Sequence, residues 1–294
     1  MSGGLAARWD NNVSGPNPNA NNVQLPLSPT NTPILQATNP KLSLALSGGG
    51  ARGIAHLGVL AALEELQLPI GRLAGVSSGA IASVFYAAGF APREILRLLL
   101  NTNVFRLTRP AFSRFGLLHQ DAVEHLLGRH LGSHVNFEDL RLPVTLVATD
   151  LMAGESVYFS SGPLLPPLLA SSAVPIVYRP VEYQGRQLVD GGLLNNLPVE
   201  PLLNQPGQRV VGVHCNPINS EARIPTFRRL VERTLHLAIN ANTSARKSQC
   251  HLLLEPPELR HYRPLSYKRG PELFEIGYRY TMGQAVALRA LLEP

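Results

Sequence analysis

From Lys41 onward the chain sets short apolar runs between glycine loops and longer stretches of helical period. "KLSLAL", residues 41–46, reads as a buried strand, "GGGARG" as a loop, and "HLGVLAALEEL" as a helix. A second short strand follows at about Arg72 to Val76, then a run of small and apolar residues from Ala80 to Ala88 that suits a buried helix ended by Gly89. Strand, loop, helix and strand in that order are the grammar of a βαβ unit and a parallel sheet. Further along, residues 92–131 have helical character around a break at Pro110. "LPVTLVATDL" and "GESVYFSSG" read as two strands joined by a turn at Ala153 and Gly154. "GRQLVDGG" predicts a strand running into a glycine turn, "QRVVGVHC" a buried strand and "CHLLLE" another. Helical periodicity returns at 226–247 and 271–292. The expectation is an α/β domain over residues 41–294. Before it, Pro16, Pro18, Pro26, Pro29, Pro33 and Pro40 interrupt any period among Asn and small polar residues, which predicts a disordered N-terminal tail over residues 1–40.

Composition narrows the class of protein. With 294 residues, 45% of them hydrophobic and 16% charged, the chain can bury the core of one large domain. The formal charge of +6 favours anionic partners. The excess is spread along the chain, with no Lys/Arg block and no zinc-finger pattern, so no nucleic-acid partner is expected. Two cysteines, Cys215 and Cys250, cannot build a disulfide framework or a cysteine-only metal site, and a reducing compartment follows most simply. The first twenty residues lack the basic start and apolar run of a secretory signal, and no later segment is long and apolar enough to span a bilayer. The expected location is the cytoplasm, with peripheral contact at a membrane.

Two glycine motifs carry the candidate chemistry. Gly48, Gly50 and Gly53 fit the dinucleotide fingerprint G-x-G-x-x-G in its proper strand-to-helix context. That fingerprint needs an acid at the end of the second strand to hold a ribose, and Leu73 to Val76 offer none. What stands there is "GVSSG", residues 75–79, a G-x-S-x-G between strand and helix. This is the setting of a nucleophile elbow, where flanking glycines leave room around an exposed serine hydroxyl. Ser77 is therefore a candidate nucleophile, with a helix-capping serine as the plainer alternative. An attacking serine creates a tetrahedral oxyanion that needs preorganised N–H donors. The loop Gly48 to Gly50, on the neighbouring strand of the same unit, can supply them.

A serine also needs a base. His251 and His261 fall late in the chain, as the histidine of a Ser-Asp-His order would. However, His251 lies inside an apolar strand-like run and His261 between an Arg and a Tyr. Asp190 is better placed, delivered by the apolar strand of "LVDGG" to a double-glycine turn, although Asp-Gly is also a common turn dipeptide.

Taken together, "GGGARG" with "HLGVL", then "GVSSG", "SSAVPIVYRPV" and "DGGLLNNLPVEPL" resemble the patatin-like phospholipases over roughly residues 42–294. The resemblance implies a three-layer α/β/α fold with a mainly parallel central sheet, and hydrolysis of fatty acyl esters of phospholipids or related lipids through a Ser-Asp dyad, with no metal and no cofactor. Ser77 carries over as nucleophile, Asp190 as base, and Gly48, Gly49 and Gly50 as the oxyanion loop. Arg52 stands where family members often approach substrate; a guanidinium there could bind a phosphate or fix the loop backbone. "QCHLLLEPPEL" departs from the acidic strand start expected of the family. Other readings of the same residues are a lipid or short-chain carboxylesterase with the same dyad, and a non-catalytic lipid-binding module.

The remaining features are assigned plainer roles. His56 is expected to pack below the glycine loop and Asp150 to hold a turn. "NVFRLTRPAFSRFGLL", residues 103–118, interleaves Phe with Arg and suits either an anionic bilayer interface or a cap whose rings pack inward. "RRLVER", residues 228–233, reads as a solvated helix face.

Overall fold

In the computed structural model, residues 40–101, 121–132 and 134–293 are described. The tail expected at 1–40 lies outside them apart from Pro40, and so does the Phe/Arg stretch at 103–118. Among the described residues, eight strands form one sheet. They are β1 (Lys41–Leu46), β2 (Ile70–Gly75), β3 (Val144–Asp150), β4 (Glu155–Phe159), β5 (Val181–Tyr183), β6 (Arg186–Asp190), β7 (Gln208–Val213) and β8 (Leu252–Leu254). Their order is β5-β6-β3-β2-β1-β7-β8, with β4 paired to β3. Neighbours from β3 through β8 are parallel, and β4, β5 and β6 join antiparallel at one end. The sheet is thus mainly parallel, as its near-continuous apolar strands require.

Side chains alternate across the sheet, and both faces are buried. Leu42, Leu44 and Leu46 of β1, Leu73 of β2 and Val211 and Val213 of β7 enter the larger core. Ala45, Ala74 and Val210, their neighbours in sequence, enter a second core closed by Leu197, Val199 and Leu202. Helices α1 (Ala55–Glu65), α2 (Ser78–Ala87), α3 (Pro92–Asn101), α4 (Asp121–Leu131) and α5 (Leu165–Ser171) follow in chain order, then α6 (Phe227–Lys247), α7 (Gly270–Gly283) and α8 (Ala285–Ala290).

Three elements differ from the pattern-based reading. The helical stretch at 271–292 is two helices, because Gln284 leaves helical geometry at φ −100° and ψ 12°. The strand β5 was not expected; it forms a hairpin with β6 whose turn residues Gln184 and Gly185 both have positive φ, which suits the right-handed twist of the strands. Helix α5 was hidden by its own prolines, which sit in the first turn where no intrahelical N–H is needed.

Candidate active site

The site is built where β2 stops. After Gly75 the chain turns through Ser77, held at φ 55° and ψ −122°, and enters α2 at Ser78. A positive φ on a serine is strained backbone, tolerated only where the surroundings fix it. Ser171, in the last turn of α5, supplies part of that fixation, since its carbonyl and its Oγ accept from the Ser77 N–H at 3.0 and 3.1 Å. Glycine at 79 is needed because a Cβ there would collide with the carbonyl oxygens of Leu46 and Ser47. Ser77 makes no side-chain cap to α2. The hydroxyl lies close enough to the Asp190 carboxylate to lower that carboxyl's pKa.

Asp190 reaches Ser77 through sheet register. Strand β2 pairs Leu73–Gly75 with Val144–Leu146, and β6 pairs Leu188–Asp190 with Asp150–Ala148. The C-terminal ends of β2 and β6 therefore meet the same stretch of β3, on either side of Val147. Asp190 is held by a bond from its N–H to the Ala173 carbonyl at 2.9 Å, and its Oδ1 accepts from the Gly192 N–H at 2.8 Å. The turn role of an Asp-Gly pair and the contact to serine coexist. Burial pushes its carboxyl up from 3.8 to about 6, opposed by the nearby Ser77 hydroxyl and the Gly192 N–H. Neither late histidine is bonded to the serine. His251 accepts from the Val210 N–H at 3.0 Å, and His261 is exposed beside Arg260.

The glycine loop stands next to this pair. A Cβ on Gly48 would come within 3.2 Å of the Ser77 Cβ and would strike the Asn196 side chain. The Gly48 carbonyl accepts from Asn216 Nδ2 at 2.7 Å and from Ser47 Oγ at 3.1 Å. A trans peptide points its N–H opposite to its carbonyl, so these bonds turn the Gly49 N–H away from Asn216. Among the described residues, no acceptor meets the N–H of Gly48 or Gly49.

Arg52 lies beneath the loop, 6% exposed, with Nε donating to the Tyr262 carbonyl at 2.8 Å and a terminal nitrogen to Asn216 Oδ1 at 3.1 Å. The Asn216 contact ties Arg52 to the residue that holds the Gly48 carbonyl. Burial lowers its pKa to about 10. His56 packs fully buried, donating from Nε2 to the Ser47 carbonyl at 2.8 Å, and burial pulls it down to about 4, so it is neutral. Asp150 accepts from Met152 and Ala153 N–H groups and pairs with Arg186, a turn role. Glu255, in the departing C-terminal stretch, binds His214 and Lys247 at 2.7 Å each. Among the described residues no group of three or more His, Cys, Asp or Glu is placed to hold a metal.

Residue-type reasoning passed over Ser171, Asn196 and Asn216. Each is a polar residue buried inside an apolar motif: "SSAVP", "GGLLNNLPV" and "VHCNP". Buried polar groups need partners, and that was the available signal.

The family model described as Patatin-like phospholipase matches residues 44–203. An uncharacterized NTE family protein of Mycobacterium tuberculosis is 40% identical over 188 residues, 61% of this chain and 50% of its own length. A lysophospholipase of Scheffersomyces stipitis is 25% identical over 280 residues, 83% of this chain and 18% of its own. The chain thus spans half or less of the length of these curated relatives. Among solved structures, VipD from Legionella pneumophila superposes with a TM-score of 0.53 at 15% identity, over 85% of this chain and 67% of that one, a likeness of fold.

Proposed function

The chain belongs to the patatin-like phospholipase family, and on that premise we propose that it is a serine acyl hydrolase cleaving fatty acyl esters of phospholipids or related lipids. The reading is carried by the approach of the Asp190 carboxylate to Ser77, a serine on a strained elbow beside a loop whose Gly48 and Gly49 N–H groups meet no acceptor among the described residues. Residues 41–294 are taken as the catalytic domain.

Ser77 Oγ attacks the ester carbonyl while its proton passes to Asp190. The oxygen of the tetrahedral intermediate takes hydrogen bonds from the loop at Gly48, Gly49 and Gly50, each donor contributing on the order of 3 kcal/mol to the transition state. Asp190 returns the proton to the departing alcohol, leaving an acyl group on Ser77. A water molecule then gives its proton to Asp190 and attacks the acyl carbon. Collapse frees the fatty acid and restores both residues. A buried carboxyl near 6 is a stronger base than an exposed aspartate and is still ionised at neutral pH. Arg52 acts through the loop and Asn216.

The activity named for the S. stipitis relative puts lysophospholipids beside diacyl phospholipids as substrates to try. The test is mass spectrometry of products from a mixed lipid extract, alongside fluorophosphonate labelling. Release of fatty acid with loss of labelling in Ser77→Ala is expected. Turnover of soluble p-nitrophenyl esters with no turnover of any phospholipid would favour the carboxylesterase reading. Stable lipid binding without any ester cleavage would favour a binding module.

A further inference from the structure

Helix α6 leaves an apolar stripe exposed. A helix on a globular protein ordinarily turns its apolar stripe inward. Here the side turned to the protein mixes half-buried Val231, Leu235 and Ile239 with polar groups: His236 Nε2 and Asn240 Nδ2 donate to the Asn216 carbonyl at 3.3 and 3.0 Å, Asn242 Nδ2 donates to the Leu193 carbonyl at 2.9 Å, and Thr243 is fully buried. The outward side carries Phe227, Leu230, Thr234, Leu237, Ala241 and Ala245, spaced at three and four residues and therefore on one face. Phe227 is 81% exposed, Leu230 49% and Leu237 44%. No charged residue interrupts that stripe over the 21 residues of the helix.

The helix is also tied to the site. Asn216, which its inward face holds, props the Gly48 carbonyl, and Leu193 lies three residues beyond Asp190. The other segment that steadies the site is similarly apolar. Just past Ala173, whose carbonyl binds the Asp190 N–H, Val174, Ile176 and Val177 are all exposed. Ile176 holds φ 72°, an unfavourable conformation for a β-branched residue. Charge indicates what would cover the stripe. Of the basic residues from 221 to 247, Arg229 pairs with Glu232, Arg246 with Glu200 and Lys247 with Glu255, and the sequence adds Arg223, Arg228 and Arg233 against Glu221. An apolar helical face within a basic segment matches an anionic lipid surface.

We propose that the outward face of α6 docks the protein on anionic lipid bilayers and sets the Ser77 site against its substrate. The choice of a lipid surface as occupant rests on the acyl-hydrolase reading. The test sediments the full chain with vesicles of phosphatidylcholine, with and without phosphatidylserine. Wild type and Ser77→Ala should both bind the phosphatidylserine vesicles, more weakly in high salt. Leu230→Glu/Leu237→Glu should lose binding by about tenfold or more, since each leucine contributes apolar area. Its ratio of vesicle turnover to soluble-ester turnover should fall in parallel. Leu230→Ser/Leu237→Ser, with an unchanged melting temperature, serves if the charged variant misfolds. Wild-type failure to bind, or equal binding by wild type and variant, would overturn the proposal. So would a wild-type dimer in solution that the variant splits, which would assign the face to a second copy. Vesicle binding lost in the variant, with no ester cleaved by wild type, would support docking while removing the hydrolase reading.

Discussion

The Ser77 hydroxyl lies beside the Asp190 carboxylate and lowers its pKa against the effect of burial, while His251 and His261 are bonded elsewhere. Ser77 follows a parallel strand and Asp190 ends an antiparallel one, and both strand ends abut the middle of β3. With β3 between them, the two strand ends bring the carboxylate and the serine to one edge of the sheet.

Asp190→Asn should lower ester hydrolysis nearly as far as Ser77→Ala, by roughly 10³-fold or more, and the double variant should lose little beyond either. His251→Ala and His261→Ala should stay well above both. Steady-state rates on one soluble ester decide it: a folded His251 or His261 variant as inactive as Ser77→Ala would replace the dyad with a triad.

The base works only when ionised, so kcat/KM should fall about tenfold per pH unit below about 6. Stability runs the other way. A carboxyl raised from 3.8 to about 6 carries no penalty below 3.8, accumulates one between those values and bears all of it above 6. Asp190→Asn should therefore stabilise the fold at pH 7, on the order of 3 kcal/mol, with the gain vanishing near pH 3.5. Thermal melts at the two pH values measure it.

Two glycine substitutions should separate folding from chemistry. Gly79→Ala drives a Cβ into the Leu46 backbone and should destabilise the protein by several kcal/mol. Gly48→Ala meets a side chain, Asn196, that can move, and should leave the protein folded while lowering kcat by about 10²-fold. Denaturant melts beside initial rates would test the contrast.

Arg52→Lys keeps the charge but cannot reproduce both the Tyr262 and Asn216 bonds. Its kcat should fall by a similar factor on phospholipid and on an uncharged ester, with KM little changed. A KM defect confined to phospholipid would give the guanidinium a head-group role.

Activity should persist after dialysis against EDTA, since the proposed chemistry moves its protons through Asp190 and places its oxyanion on backbone N–H groups. A strict requirement for added calcium would count against that chemistry.

What the sequence determined by itself is what depends on neighbours along the chain. Period and punctuation mark the βαβ unit, the elbow at "GVSSG" and the strand that delivers Asp190, because alternation, glycine freedom and steric limits act over a few residues. The break at Gln284 and the proline-led helix α5 escaped the same reasoning, since packing of the surrounding chain outweighed local period. Tertiary structure alone decided that Asp190 meets Ser77, that Arg52 turns beneath the loop, and that Ser171 and Asn216 brace the elbow and the glycines. These contacts join residues far apart in sequence, and their strengths come from burial and sheet register, neither of which is written at any one position. The outward face of α6 is the sharpest case. Its residues show a helical period in the sequence, but only the bonds of His236, Asn240 and Asn242 to the protein reveal which apolar stripe is left outside.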